Sequence, residues 1–341
     1  MIGRASIHGS GGMDALFHDR QKGRRMEMKE VLFLQPVFKE RIWGGTALRD
    51  RFGYSIPSDR TGECWAISGH PNGQSRVKNG LYAGRSIDEL WETNRELFGG
   101  MEGDTFPLLT KILDANSDLS VQVHPDDRYA LKHEGERGKT ECWYIIDCKE
   151  GAELVYGHHA KSREEFREMV HRGEWDRLLR RIPIKPGDFY YVPSGTIHAL
   201  CEGTLVLETQ QSSDTTYRVY DYDRVDASGH KRELHIEKAI DVTNIPHRDP
   251  KLHTRIEEKT GVKITEFVRG TYFSVYKWDV SGTATFTQDQ PFLLASVLAG
   301  DGVLLTPERS YEVKKGDHFI IPHGFSAFHL KGELELIISH P

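Results

Sequence analysis

Leu119-Ser-Val-Gln-Val-His-Pro-Asp-Asp127 is the stretch on which the reading of this chain turns. Apolar Leu119, Val121 and Val123 alternate with polar positions, and a period of two is the strand period. Gln122 and His124 then share the face opposite the valines. A glutamine and a histidine side by side on the inner wall of a β-barrel are costly unless something binds them. A second stretch, Pro193-Ser-Gly-Thr-Ile-His198, delivers another histidine after a turn. Lys139–Asp147 reads as a strand on which alternation puts Glu141, Trp143 and Ile145 on one face. Taken singly, His124 and His198 read best as hydrogen-bonded wall residues. Taken together, Gln122, His124, Glu141 and His198 read as a metal centre. One amide oxygen, two imidazole nitrogens and one carboxylate suit Zn²⁺, one ion per chain.

The rest of the chain has to hold that centre. Its 341 residues allow two ordinary domains, or one core with insertions. Many glycines and scattered prolines imply many turns and a mainly β architecture. The net charge of −6 argues against a general nucleic-acid binder, which needs a basic surface. A small anionic ligand needs only a local cluster of Lys and Arg. Cys64, Cys142, Cys148 and Cys201 form no CxxC pair, so a reduced, intracellular setting is the simple expectation. No apolar run is long enough for a membrane span, and no signal-peptide core begins the chain.

In chain order, residues 1–28 carry Gly-Ser-Gly-Gly and a basic cluster without periodicity, and are expected to be a flexible extension. Residues 29–245 are expected to form a catalytic β domain, and residues 246–341 a second β domain. Short strands are predicted at Val31–Leu34 and Gly62–Ser68, and a capped helix from Ser86 to about Leu97. Within Pro107–Leu113 the charged Lys111 has two readings: an edge residue whose stem snorkels, or a group facing the same cavity as Gln122. A small helical insert is expected near 162–180, with Ser162 as N-cap and Glu165 three residues on. A short helix is expected near His235–Asp241.

The chain also repeats itself. Gly187-x5-Pro193-x-Gly195-x2-His198 recurs 129 positions later as Gly316-x5-Pro322-x-Gly324-x2-Ala327. The framework residues shape a strand–turn–strand and appear in both copies. Only the first copy keeps the histidine. This predicts two related barrels, the first functional and the second structural or interfacial. His318, His323 and His329 lie near the second motif without a Gln-x-His or a placed Glu, and are not read as ligands.

Gly-x5-Pro-x-Gly-x2-His resembles the second cupin motif. The first cupin motif usually has His-x-His and a Glu a few residues on. Here the chain has Gln122-x-His124, with Glu141 17 residues after His124. That departure resembles the class I mannose-6-phosphate isomerases (phosphomannose isomerases) of the short bacterial type, within the cupin superfamily. The matching stretches are Phe106-Pro-Leu-Leu-Thr-Lys-Ile-Leu113, Ser120–Asp127, Gly138-Lys-Thr-Glu-Cys-Trp-Tyr144, Gly195–His198 and Asp214-Thr-Thr-Tyr-Arg218, in the family's order. The resemblance covers roughly residues 30–341 and implies two cupin-like jelly-roll β-barrels.

It also implies interconversion of mannose 6-phosphate and fructose 6-phosphate through an enediolate. Such an isomerase moves a proton between C1 and C2 and stabilises the charge that develops between them. Arg218 is the implied stabiliser of the enediol oxygens. Asp214 is expected to handle protons or orient Arg218, with ordinary turn chemistry as its plain alternative. Lys139, two residues before Glu141, and Lys111 are candidates for phosphate binding or proton transfer. Trp43 and Glu63 are candidate pocket borders, or else packing and capping residues. A sugar-phosphate substrate implies the cytoplasm, and the oligomeric state stays open. Two other functions remain at this point: a cupin oxygenase or other metalloenzyme acting on an unphosphorylated molecule, and a non-catalytic sugar-phosphate sensor.

Overall fold

The computed structural model describes residues 30–341 apart from 226, 227 and 326. The expected extension, residues 1–28, lies outside the described residues. The described chain opens with β1 (Leu32–Gln35), β2 (Val37–Gly45), β3 (Thr61–Ser68), β4 (Arg76–Val77), β5 (Leu108–Ala115), β6 (Val121–Val123) and β7 (Glu141–Cys148). It continues through β8 (Glu153–His158), β9 (Leu179–Pro183), β10 (Phe189–Val192), β11 (His198–Leu200), β12 (Thr204–Gln211) and β13 (Tyr217–Tyr220). The later strands are β14 (Arg255–Lys259), β15 (Val262–Arg269), β16 (Ser274–Phe286), β17 (Leu293–Leu305), β18 (Ser310–Lys314), β19 (His318–Ile321) and β20 (Phe328–His340). The helices are α1 (Ala47–Phe52), α2 (Ile87–Thr93), α3 (Asp127–His133), α4 (Arg163–His171), α5 (Trp175–Leu178) and α6 (Ile236–Val242).

Two antiparallel sheets face one another in the first unit. One runs β10-β7-β12-β5-β3-β2, the other β13-β6-β11-β8-β9. They do not hydrogen-bond into a closed barrel, so the jelly roll is an open sandwich. Alternation assigns each face its job. Along β7, β5 and β12, Cys142, Tyr144, Ile112, Leu205 and Leu207 point outward into a core shared with Phe273, Phe292, Leu294 and Ile337 of the later strands. The opposite residues, Glu141, Lys111 and Glu208, point inward with Trp143, Ile145 and Val206. On the other sheet, Val121, Val123 and Ala199 pack outward on Phe166, Met169 and Val170 of α4 and Ala239 and Ile240 of α6. Each such buried apolar side chain contributes on the order of 1.5–3 kcal/mol. The polar residues between them are forced into the space between the sheets.

The helical insert takes its expected place. The Ser162 hydroxyl accepts from Glu165 N–H at 3.2 Å. Ser86 and Glu89 form the full reciprocal cap expected for α2. That helix stops at Thr93 rather than near Leu97, because Asn94 leaves helical geometry and a short 3₁₀ turn, Arg95–Phe98, follows.

Lys111 is not at an edge: β5 lies between β12 and β3, so its side chain faces inward. Leu119 also departs from expectation. Regular pairing begins at Val121, and Leu119 packs inward with Trp43 and Trp143 while the two valines pack on the helices.

The second unit is one sheet, β14-β15-β16-β20-β17-β19-β1-β4, with β18 on β17. It includes β1 from the start of the described chain, with Leu32 opposite Ile320 and Phe33 opposite Phe319. The sheet curls around Trp278, Phe286, Phe319, Phe328 and Leu336. Residues between α6 and β14 carry no strand or helix. No helix among the described residues is long and apolar enough to cross a membrane.

Candidate metal centre

Gln122 stands on β6 opposite His198 of β11 on one side and Arg218 of β13 on the other. Arg218, Gln122 and His198 thus form one cross-strand row on the inner face. Strand spacing of about 4.8 Å sets their separation. Across the gap, Glu141 pairs in register with Gln210, and Lys111 with Glu208. His124 follows β6 by one residue and completes the group from below.

His124, Glu141 and His198 are essentially shut off from solvent, and their ligand atoms all lie within 4.8 Å of one another. No other group of three or more such ligands is found among the described residues. The Nδ1 of His124 donates to Thr215 O at 2.9 Å, and the Nδ1 of His198 to Thr196 O at 2.8 Å. Each ring therefore carries its proton on Nδ1 and turns a bare Nε2 inward. These two nitrogens lie only 3.2 Å apart, so their lone pairs confront each other. Glu141 lies 3.4 Å from His124 Nε2 and 3.3 Å from His198 Nε2, with the Lys139 ammonium 3.0 Å from its Oε2 and no hydrogen-bond donor on its Oε1. Lys139 answers one Glu141 oxygen and the His124 lone pair, but the other carboxylate oxygen and two bare ring nitrogens still crowd one buried point, an arrangement that a shared metal ion would stabilise. The Gln122 amide lies 3.4 Å from His198 Nε2. Its oxygen and nitrogen can exchange places by rotation, which turns Oε1 to the same point. The residues fit a metal ion.

Lys139 lies against the triad, its ammonium 3.0 Å from Glu141 and 3.2 Å from His124 Nε2. Burial opposes its charge, but Glu141 and Glu208 hold it protonated well above the usual lysine range. Burial and the Lys139 charge together push the His124 imidazole down to about 3, so it stays neutral and able to ligate. Burial opposes ionisation of Glu141 too, but Lys139 and the two histidines keep that carboxyl well below the usual range.

A cleft of about 570 Å³ lies beside the triad, which borders it through Gln122 and Lys139 rather than directly. Lys111, Gln122, Lys139, Asp214 and Arg218 all line it, so the structure brings the expected residues together. Arg218 keeps its Nε without a partner, and its backbone is held at both ends by His235. Asp214 is at the mouth. Its carboxylate accepts from the Asn72 amide at 3.0 Å, and no bond joins it to Arg218 among the described residues.

Trp43 and Glu63 do border the cleft. Glu63 accepts from Arg41 at 2.7 Å and from the Trp65 indole. Burial opposes its charge, but Lys111 and Arg41 pull it down to about 2.

One lining residue had no role in the sequence reading. Glu208 is 3% exposed, accepts from the Trp143 indole at 2.9 Å and lies 3.5 Å from Lys111. Burial, then the nearby Glu141 charge, raise its carboxyl above the usual range. The signal was in Leu205-Val-Leu-Glu208, where alternation puts Val206 and Glu208 on one face.

Known proteins bear on the same geometry. Residues 31–174 match the catalytic domain of type I phosphomannose isomerase, and residues 263–341 the cupin domain of mannose-6-phosphate isomerase. Mannose-6-phosphate isomerase ManA of Bacillus subtilis is 59% identical over 91% of this chain and 99% of its own length. The mannose-6-phosphate isomerase of Streptococcus mutans is 56% identical over 92% of this chain and 99% of its own. A crystal structure of the Bacillus subtilis mannose 6-phosphate isomerase superposes with a TM-score of 0.91 at 60% identity, covering 92% of this chain and all of the other. With the metal-binding triad and its lysine in place, the chain belongs to the type I phosphomannose isomerase family.

Proposed function

We propose that the protein interconverts mannose 6-phosphate and fructose 6-phosphate. The observation that carries this is the buried His124–Glu141–His198 triad, touched by Gln122 and Lys139, which line a cleft together with Lys111 and Arg218. That constellation suits a polyhydroxy anion whose reaction develops negative charge on adjacent oxygens. The chain's end-to-end similarity to mannose-6-phosphate isomerases favours it over an oxygenase or a non-catalytic sensor. We assign the metal as one Zn²⁺ held by Gln122, His124, Glu141 and His198. When bound, it supplies Lewis-acid stabilisation of charge on the sugar oxygens.

The protein's own groups divide the remaining work. Arg218 is permanently charged and has an unpartnered Nε, so it stabilises the enediolate from the cleft side. Lys139 is bound to Glu141 and held protonated, so it fixes the ligand carboxylate and adds positive charge rather than accepting a proton. Glu208 has the environment of a proton carrier: buried, lining the cleft, its carboxyl pushed upward beside Lys111. Lys139 and then Lys111 oppose that rise in Glu208, and Lys111 offers a donor to the substrate. Asp214 supplies an acceptor at the mouth. A phosphorylated hexose substrate and four free thiols favour a cytoplasmic setting.

The test is a coupled assay on purified protein with fructose 6-phosphate. Activity is expected to vanish with chelator and return with Zn²⁺. Turnover no faster than in buffer alone would sink the reading.

A further inference from the structure

Residues 212–216 carry two parts of the centre although none of them ligates the metal. The carbonyl of Thr215 receives the Nδ1 proton of His124, and Asp214 and Thr216 line the cleft. The stretch lies between β12 and β13 and has no ladder of its own. Its order has to come from elsewhere.

Ser212 N donates to Pro107 O at 2.9 Å and the Gln210 amide to Ser213 O at 2.7 Å, while the donors of residues 213–215 converge on Glu136. One carboxylate oxygen accepts from Ser213 Oγ at 2.9 Å, Thr215 Oγ1 at 2.8 Å and Asp214 N at 3.2 Å. The other accepts from His70 Nε2 at 3.0 Å. His70 is buried, and its Nδ1 accepts from Asn72 N at 3.1 Å, so the proton on Nε2 is committed to Glu136. Asn72 in turn holds the Asp214 carboxylate. The segment bearing Glu136 is pinned on both sides: Glu134 accepts from the Tyr217 hydroxyl at 2.7 Å, and Gly138 N donates to Asp127 at 2.8 Å. A fixed carboxylate thus faces three donors of a stretch that orients a metal-ligating ring.

Resting on the isomerase reading, we infer that Glu136, set by His70, is a positioning residue that holds residues 213–215 and through Thr215 O fixes the ring of His124. It touches neither the substrate cleft nor the metal ligands. Its effect therefore appears in metal retention and substrate affinity before it appears in the chemical step.

The test uses the zinc-loaded enzyme. Zinc release to a chromophoric chelator is measured without substrate, and kcat and KM are measured separately at saturating zinc. Glu136→Ala is expected to speed zinc release by about tenfold, the scale of losing a group that orients a ligand, and to raise KM more than it lowers kcat. Glu136→Gln keeps an acceptor for Ser213 and Thr215 but presents an amide N–H₂ to the His70 proton, so it falls between wild type and Ala. Thr215→Val removes one hydroxyl and keeps the carbonyl, and gives a smaller increase. If Glu136→Ala does not fold, the order Gln above Val above wild type carries the inference. Wild-type zinc release and KM in folded variants overturn it, and so does equal impairment by Gln and Ala. An inactive wild type whose variants still release zinc faster would remove the isomerase reading and leave this inference standing.

Discussion

The two motif copies have the same backbone and opposite interiors. Gly187 and Gly316 sit at φ of 89° and 88°, and Gly195 and Gly324 at 83° and 85°. These are left-handed positions that glycine takes without strain. After each first glycine an aspartate folds back in the same way: Asp188 accepts from Lys185 N, and Asp317 from Lys314 N, both at 3.0 Å. The strands that follow then diverge. The first unit points Lys111, Glu141, His198 and Glu208 between its sheets, whereas the second fills the same kind of space with Trp278, Phe286, Phe328 and Leu336. The histidines near the second motif all have ordinary partners: His318 has Ser296 and Tyr54, His323 the Gln290 carbonyl, and His329 Thr285. The framework is therefore a folding requirement, and the metal site is a separate choice of inward residues laid over it.

The sharpest way to break that comparison is to exchange its one informative position. His198→Ala leaves the glycines and proline in place and removes one of two inward imidazoles. Metal content should fall sharply. Loss of several kcal/mol of charge stabilisation should lower kcat/KM by on the order of 10³-fold. The reverse change, Ala327→His, restores the motif's spacing in the second unit but has no facing Glu or Gln-x-His. Metal analysis of that variant should still give one equivalent per chain. Two equivalents would mean that the framework itself makes the site.

Next in size are two substitutions that probe what each interior is for. Phe328 is fully buried and stacks near Phe286 and Trp278. Phe328→Ala should cost about 3–5 kcal/mol of stability, with kcat and KM of the folded enzyme unchanged. Lys111→Met should cost a similar or smaller amount, about 3 kcal/mol, by removing one of the two cations, Lys139 and Lys111, that offset Glu208 beside Glu141. It should also cut activity. Urea unfolding read beside steady-state kinetics separates the two. A Phe328→Ala enzyme with impaired kinetics would show that the second interior communicates with the cleft.

Much of this division is legible in the sequence, for a physical reason. Strand alternation is local, so Gln122 and Glu141 could be placed on shared faces from their neighbours alone, and the Pro193–Gly195 turn announced His198. The repeated Gly-x5-Pro-x-Gly frame pointed to two related β units, and the family resemblance implied their jelly-roll form. What local pattern does not contain is which strands become neighbours. Lys111 could be an edge residue or a cavity residue until β5 was seen between β12 and β3. Glu208 lay on a recognisable strand, but its importance depends on register with Lys111 across the sheet. Glu136 sits in a polar loop that looks solvated, and its partners come from residues 70 and 213–215, far away in the chain. Even β1 reads as the start of the first unit and is hydrogen-bonded into the second.

The smallest expected effect concerns acid. His318 is the second unit's buried histidine, and burial followed by the nearby Lys78 charge pushes it down to about 3. Ser296 Oγ and Tyr54 OH each lie 2.8 Å from its ring nitrogens, and no carboxylate is bonded to it among the described residues. An unfolded histidine takes its proton near pH 6.5. The folded state refuses that proton until about pH 3. The unfolded state therefore binds more protons throughout this window, and stability falls as pH falls through it. Between pH 6.5 and 5 the loss should be about 2 kcal/mol. His124 is depressed in the same direction, but metal ligation is entangled with its titration, so His318 is the cleaner probe. His318→Asn keeps a hydrogen-bonding side chain that does not titrate. Urea unfolding of both proteins at pH 7, 6 and 5 should show the wild type losing ground on the variant as pH falls. Parallel curves would mean that the second unit accommodates an imidazolium. Its apolar interior would then be less closed to charge than the contrast with the first unit requires.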